Sequence, residues 1–123
     1  MARAVLIIED EAILAKNMQR YLQRAGYQVA TVASGEEGLA HLDACHPDVV
    51  LLDYRLPRMN GLEVLTELQA RHRPVKTIMI TGQGNRDVAV QALTAGAYRY
   101  AAKPLALSDL KLLVEEAVGT PAC

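Results

Sequence analysis

The hydrophobic and polar positions of the chain alternate between two patterns. The first pattern consists of five short apolar runs bounded by polar or turn-forming residues, which predict β-strands. The predicted strands are Ala4–Ile8, Tyr27–Val32, Val49–Asp53, Val75–Ile80 and Tyr98–Ala102. The second run is more mixed in polarity than the others, as is typical of a strand at the edge of a sheet.

The second pattern, between these runs, is the recurrence of apolar residues every three to four positions, which predicts amphipathic helices. The last helix is the clearest, with apolar residues at 110, 113, 114, 117 and 118. The predicted boundaries are Gly26 after the first helix, Ser34 and about Cys45 for the second, Gly61 at the start of the third, Asn85 and Gly96 for the fourth, and Gly119 after the fifth.

Strands and helices therefore alternate five times with short connections. Repeated strand–helix units with continuous apolar strands predict a parallel sheet covered by helices on both faces. We expect one α/β domain over residues 1–123, a flavodoxin-like doubly wound (βα)5 fold with five parallel strands in the order 2-1-3-4-5. In such a sheet, ligands bind at the carboxyl ends of the central strands.

Composition narrows the function classes. The chain has 123 residues and a net charge of −1, and its basic residues form no stripe, so we expect no direct binding of nucleic acid. No apolar stretch is long enough to span a bilayer, and the first apolar run ends in an acidic triplet, unlike a signal peptide. The two cysteines, Cys45 and Cys123, lack metal-ligand spacing. We expect a cytoplasmic protein without membrane contact.

Five side chains with functional groups follow or end the predicted strands one, three, four and five. They are Glu9, Asp10, Asp53, Thr81 and Lys103. Because the carboxyl ends of parallel strands meet at one edge, we expect these side chains in a single crevice. Clustered carboxylates repel one another, and a divalent cation with oxygen ligands, such as Mg²⁺, relieves the repulsion. An aspartate can also attack phosphorus to form an aspartyl phosphate, with a lysine neutralising the phosphoryl oxygens.

Four segments in this order resemble one known family over essentially the whole length: VLIIEDE, LLDYRLPRMNGLEVL, IMITGQG and GAYRYAAKP. The chain resembles the receiver domain of two-component response regulators. The resemblance implies that Asp53 is the phosphoacceptor, and that Asp10 and Asp53 bind Mg²⁺ directly. It also implies that Glu9 assists through water and that the backbone carbonyl of Arg55 completes the metal site.

The same resemblance implies a switch. Thr81 and Lys103 would bind the phosphoryl oxygens, and Tyr100 would be the aromatic residue that moves inward when Thr81 is drawn toward the phosphate. The peptide bond between Lys103 and Pro104 is often cis in the family. A receiver of this type is not a turnover enzyme, since it catalyses only its own phosphorylation and dephosphorylation.

The implied partners are a sensor histidine kinase or phosphotransfer protein, and a homodimer or output domain bound through the fourth helix, fifth strand and fifth helix. Residues 80–98 resemble receivers attached to ATPase-type transcriptional activators. Both a stand-alone receiver and the N-terminal part of a longer transcriptional regulator stay open.

Three alternative functions make different demands on the sequence. A dehalogenase-type phosphatase needs a second aspartate two residues after its nucleophile, where this chain has Arg55. A flavin-binding electron carrier needs a phosphate-binding loop after the first strand, where this chain has three acidic residues. A receiver-like interaction module that works without phosphorylation is the third alternative.

Overall fold

The computed structural model describes residues 3–71, 75–82 and 86–119. In these ranges strands and helices alternate. In chain order they are β1 (Ala4–Ile8), α1 (Ala12–Arg24), β2 (Gln28–Val32), α2 (Gly35–Ala44), β3 (Val49–Asp53), α3 (Gly61–Arg71), β4 (Lys76–Gly82), α4 (Arg86–Thr94), β5 (Arg99–Lys103) and α5 (Leu107–Gly119).

The strands form one parallel sheet in the order β2-β1-β3-β4-β5. This confirms the predicted fold class and strand order. β2 lies at an edge, and its residues are exposed or half-buried, whereas all five residues of β3 are buried. The mixed polarity of the second run therefore identified an edge strand correctly.

Alternation along each strand divides the core into two clusters, one on each face of the sheet. On one face, Leu6, Ile8, Val50 and Leu52 pack with buried residues of α2, α3 and α4. On the other, Val5, Ile7, Val49 and Leu51 pack with buried residues of α1 and α5. Below, these are called the α2–α4 face and the α1–α5 face.

Three strands differ from the prediction in their boundaries. β2 begins at Gln28 instead of Tyr27, β4 covers Lys76–Gly82 instead of 75–80, and β5 covers Arg99–Lys103 instead of 98–102. β4 is longer because pairing with β5 continues past its apolar run, with Thr81 opposite Ala102 and Gly82 opposite Lys103. The prediction that Asn85 caps α4 lies outside the described residues. Among the described residues, no helix has the length and apolar character that crossing a bilayer requires.

Candidate functional site

The sheet topology brings residues from three separate chain segments to one edge. Glu9 and Asp10 follow β1 directly, Asp53 is the last residue of β3, and Lys103 is the last residue of β5. β3 lies beside β1, and β4 separates β3 from β5. Each side chain is therefore held at or just beyond a strand end, where the regular backbone pairing fixes its position.

Three carboxylates form a compact acidic group at this edge. Glu9 and Asp53 are buried, with 3% and 5% of their surface exposed, and Asp10 is exposed. One carboxylate oxygen from each residue lies within 4.8 Å of the other two. Buried carboxylates are rare in proteins unless they are paired or bind a metal. This cluster has the oxygen donors that a hard divalent cation requires.

Lys103 contacts both buried carboxylates. Its Nζ donates a hydrogen bond to Glu9 Oε1 at 3.0 Å and lies 3.4 Å from Asp53 Oδ2. The second oxygen of Glu9, Oε2, accepts a hydrogen bond from the backbone N–H of Glu11 at 3.2 Å. Glu9 thus links the backbone that follows β1 to the lysine that ends β5.

Burial changes the protonation behaviour of the site. Desolvation raises the pKa of Glu9 to about 7, against the lowering effect of the hydrogen bonds from Lys103 and the Glu11 backbone. Desolvation also raises the pKa of Asp53, although Lys103 opposes the shift. Burial by itself lowers the pKa of Lys103, but the two carboxylates outweigh burial and the net shift is upward. Protons or cations are therefore favoured at this site.

The loop after β3 fits closely around Asp53. Gly61, the first residue of α3, donates its backbone N–H to the carbonyl oxygen of Tyr54 at 2.8 Å. A Cβ atom at position 61 would lie 2.6 Å from the backbone oxygen of Asp53 and 2.8 Å from Tyr54 Cα. A residue without a side chain is therefore required beside Asp53. Sequence reasoning assigned Gly61 only a helix start and missed this packing role.

Asn60 fixes the start of α3. Its side chain accepts a hydrogen bond from the backbone N–H of Glu63 at 3.0 Å, and the Glu63 carboxylate accepts one from the backbone N–H of Asn60 at 3.1 Å. This reciprocal arrangement is a capping box. The spacing of an asparagine and a glutamate three residues later carries the signal, which the sequence reasoning did not use.

Thr81 and Tyr100 lie on the opposite face from Asp53 and Lys103. Thr81 is two residues from Met79, whose side chain packs on the α2–α4 face, and Tyr100 is opposite Met79 in the strand register. Thr81 is buried, with 2% of its surface exposed, whereas Tyr100 is 44% exposed. The two side chains therefore share a face, with the hydroxyl of Thr81 inside and the ring of Tyr100 at the surface.

Arg55 follows Asp53 by two residues, and its side chain is exposed. The backbone of Arg55 lowers the pKa of the Asp53 carboxylate, against the larger upward effect of burial. The peptide bond between Lys103 and Pro104 is cis, as the resemblance implied. The geometry thus gathers Glu9, Asp10, Asp53 and Lys103 at one edge, with the backbone of Arg55 beside them.

Comparison with known proteins gives a consistent result. The family model for the response regulator receiver domain matches residues 5–115. The chain is 39% identical over 109 residues to the C4-dicarboxylate transport transcriptional regulatory protein DctD of Rhizobium meliloti, a match that covers 89% of this chain and 24% of DctD. It is 35% identical over 115 residues to the DNA-binding transcriptional regulator NtrC of Salmonella typhimurium, covering 94% of this chain and 24% of NtrC.

Among solved structures, the receiver domain of NtrX from Brucella abortus superposes with a TM-score of 0.90 at 31% identity, and the match covers 95% of this chain and 99% of that one. A CheY-like receiver domain protein from Methanospirillum hungatei gives a TM-score of 0.91 at 30% identity, covering 96% of this chain and 94% of that one. The chain spans about a quarter of the length of DctD and NtrC.

Proposed function

This chain belongs to the response regulator receiver domain family, and from that premise we propose that Asp53 accepts a phosphoryl group from the phosphohistidine of a sensor histidine kinase or a phosphotransfer protein. The family is one of signalling receivers and not of metabolic enzymes. The observation that carries the proposal is the position of Asp53 at the end of the central strand β3, 3.4 Å from Lys103 and within an acidic group of three carboxylates.

The donor set fits Mg²⁺, because all three acidic side chains offer oxygen atoms and Asp10 is open to solvent, where the ion can keep water ligands. We assign Asp10 and Asp53 as direct ligands, Glu9 as a ligand through water, and the backbone carbonyl of Arg55 as a further donor. When bound, Mg²⁺ supplies positive charge that offsets the carboxylates and the developing charge on the phosphoryl oxygens.

Asp53, Lys103 and Thr81 have different roles in the phosphoryl transfer. An oxygen of Asp53 forms a bond to phosphorus while the bond between phosphorus and the donor imidazole nitrogen breaks, and the imidazole keeps the electron pair. Lys103 exchanges a carboxylate partner for a phosphoryl oxygen, since its ammonium group already lies beside Asp53. The Thr81 hydroxyl donates a second hydrogen bond to the phosphoryl group.

The change at Asp53 would then be transmitted to the α2–α4 face of the sheet. Movement of Thr81 toward the phosphoryl group leaves space on the α2–α4 face, which Tyr100 fills by moving inward from its exposed position. The output surface, defined as the exposed apolar residues Val90 and Leu93 of α4, Tyr100 of β5 and Leu112 of α5, changes shape as a result. Phosphorylation acts here by shifting the balance between two arrangements of one chain.

The partner of the output surface is an output domain or a second copy of the chain. A transcriptional output is supported by the relatives, because DctD and NtrC are both transcriptional regulators. The DNA binding named for NtrC belongs to that whole protein, of which the matched region is 24%. For the receiver itself we propose no direct DNA contact, since its net charge is −1.

Intact-mass measurement with acetyl phosphate tests the proposal. We expect a gain of one phosphoryl mass that requires Mg²⁺, and no gain in Asp53→Asn. Asp43→Asn, which removes an exposed carboxylate at the far end of α2, is the matched control and should behave as the unaltered chain. If the folded chain gains no phosphoryl group from acetyl phosphate or from its kinase, it acts as a phosphorylation-independent interaction module.

A further inference from the structure

A cavity of about 380 Å³ lies beside the acidic group, on the α1–α5 face of the sheet. α1, α5, β4 and the segment that joins β5 to α5 supply its apolar wall. The apolar side chains are those of Leu14, Met18, Ile80, Pro104, Leu105, Leu107 and Leu110. The charged side chains in the wall are those of Glu9 and Lys103.

The size and lining of this cavity are those of a ligand site. Small-molecule sites in proteins are typically 300–1,000 Å³ in volume, mostly apolar, with a few polar groups that fix the orientation of the ligand. Met18, Ile80 and Leu110 are buried in the folded chain, so the inner wall is already formed. An apolar cavity of this kind gains little from water, because water finds few hydrogen-bond partners there.

The charges in and behind the wall select the ligand. The two charged side chains in the wall are paired with each other, since Lys103 Nζ donates a hydrogen bond to Glu9 Oε1 at 3.0 Å. An organic anion or cation would have to break this pair to meet an opposite charge, and it would lose its own hydration in the apolar cavity. An ammonium group has three N–H donors, and two carboxylate contacts involve that of Lys103 among the described residues. A neutral hydrogen-bond acceptor suits the remaining donor.

We propose that this cavity binds small uncharged molecules that have an apolar body and one hydrogen-bond acceptor, such as a hydroxyl or carbonyl oxygen. The apolar body would pack between α1 and α5, and the acceptor would face Lys103. The cavity differs from the acidic group, which uses carboxylates and faces solvent at Asp10. Binding itself does not depend on phosphorylation.

Because Lys103 belongs both to the cavity wall and to the acidic group, a ligand that accepts a hydrogen bond from its ammonium group would hold that group toward the cavity and away from the phosphoryl oxygens. A bound ligand would therefore slow phosphorylation of Asp53. This second part of the inference rests on the proposed function, and its test is kept separate from the test of binding.

Four probes of similar size test the binding. Benzyl alcohol has an apolar ring and a hydroxyl, toluene lacks the acceptor, and benzoate and benzylamine carry opposite charges. We expect saturable shifts of leucine and methionine methyl signals with benzyl alcohol, and affinities at least about tenfold lower for benzoate and benzylamine. Toluene should bind more weakly than benzyl alcohol. Equal affinity for charged and uncharged probes, or no saturable shift, would overturn the proposal.

A variant that fills the cavity, compared with a control variant on the same helix, provides a second test of binding. Leu107→Phe enlarges a half-buried wall residue at the start of α5, whereas Leu112→Phe enlarges a residue on the same helix that is 62% exposed. We expect at least about tenfold weaker binding of benzyl alcohol in the first variant and no change in the second. Leu105→Phe fills the wall from the preceding segment if Leu107→Phe unfolds the chain. Unchanged binding in a folded filling variant contradicts the assignment.

The coupling is measured by the rate of phosphorylation with acetyl phosphate and Mg²⁺ in saturating benzyl alcohol. We expect a decrease of at least about twofold, which the Leu107→Phe variant should not show. An unchanged rate overturns the coupling and leaves the binding result intact. Absence of any phosphorylation without ligand is a failure of the proposed function instead.

Discussion

Glu9 and Asp53 are two buried carboxylates that share one ammonium group. Removing a carboxylate from water is costly unless its charge is compensated. Lys103 lies 3.0 Å from Glu9 Oε1 and 3.4 Å from Asp53 Oδ2, so one positive charge faces two negative ones. Binding of a proton or a divalent cation offsets the excess negative charge and stabilises the folded chain. The stability of the chain should therefore depend on both pH and the concentration of divalent cations.

The burial of Glu9 predicts how stability changes with pH in the absence of divalent cations. The pKa of Glu9 is raised from 4.5 to about 7 by desolvation, so the folded state binds a proton more tightly than the unfolded state does. The stabilisation is fully present below about pH 4.5 and is lost as the pH rises through 7. Glu9→Gln mimics the protonated form, and we expect it to be more stable than the unaltered chain by about 3 kcal/mol at pH 8.

Urea denaturation in EDTA measures this difference in the free energy of unfolding. The two chains should have nearly equal stability at pH 5 and diverge toward pH 8. Glu37→Gln, which neutralises an exposed glutamate in the first turn of α2, is the control for loss of a carboxylate. A difference between Glu9→Gln and the unaltered chain that does not change with pH would contradict the role of burial.

Gly61 makes a second prediction at the residue scale. A methyl group at this position would lie 2.6 Å from the backbone oxygen of Asp53, too close for any real contact. We expect Gly61→Ala to lower the free energy of unfolding by about 1–3 kcal/mol and to slow phosphorylation, because the backbone that carries Asp53 must shift. Gly119→Ala is the control, since nothing lies within 4 Å of a Cβ atom there. Equal stabilities of the two variants in thermal unfolding would show that the loop accommodates a side chain.

At the scale of elements, the capping box of α3 sets where the loop after Asp53 ends. Asn60→Ala removes the acceptor for the backbone N–H of Glu63, and we expect a loss of about 1 kcal/mol in the free energy of unfolding. Asn17→Ala is the control, because Asn17 is an exposed residue within α1 and alanine favours the helix interior. Chemical denaturation of both variants measures the effect, and the opposite order of stability would contradict the capping role.

The strands and helices could be predicted because each apolar run and each helical stripe lies in one continuous segment. The strand order followed from the repeated strand–helix units, and the strand order brought Glu9, Asp53 and Lys103 to one edge. The end of β4 was predicted too early, because pairing of Thr81 and Gly82 with β5 depends on a neighbour that is distant in sequence. The order of apolar and polar residues within β4 does not show how far its pairing with β5 extends.

The internal arrangement of the site could not be predicted for the same reason. The direct hydrogen bond between Lys103 and Glu9 joins residues 94 positions apart and depends on how far each side chain reaches. The close contact of Gly61 with the Asp53 backbone depends on the exact path of the loop after β3. The capping box, by contrast, has a local signal, because Asn60 and Glu63 are three residues apart in the sequence.

At the scale of the whole molecule, the alternation of side chains along the strands places Asp53 and Lys103 on one face of the sheet and Tyr100, which belongs to the output surface, on the other. Asp53 and Lys103 lie on the α1–α5 face with the cavity, and Thr81 and Tyr100 lie on the α2–α4 face. The buried strands β3 and β4 belong to the sheet that separates the helices of these two faces. In the proposed switch, an event on one face reaches the other through Thr81, which is buried near the end of β4.

The response of the whole fold to Mg²⁺ gives the last prediction. A cation that binds only the folded chain stabilises it by about 2.7 kcal/mol at a hundred times its dissociation constant, so the unfolding temperature should rise when Mg²⁺ replaces EDTA. Asp10→Asn separates metal binding from folding, because Asp10 is exposed and its loss should hardly change stability in EDTA. We expect this variant to lose most of the rise caused by Mg²⁺. An equal rise in both chains would mean that Mg²⁺ acts elsewhere, and the acidic group would then be stabilised by protons alone.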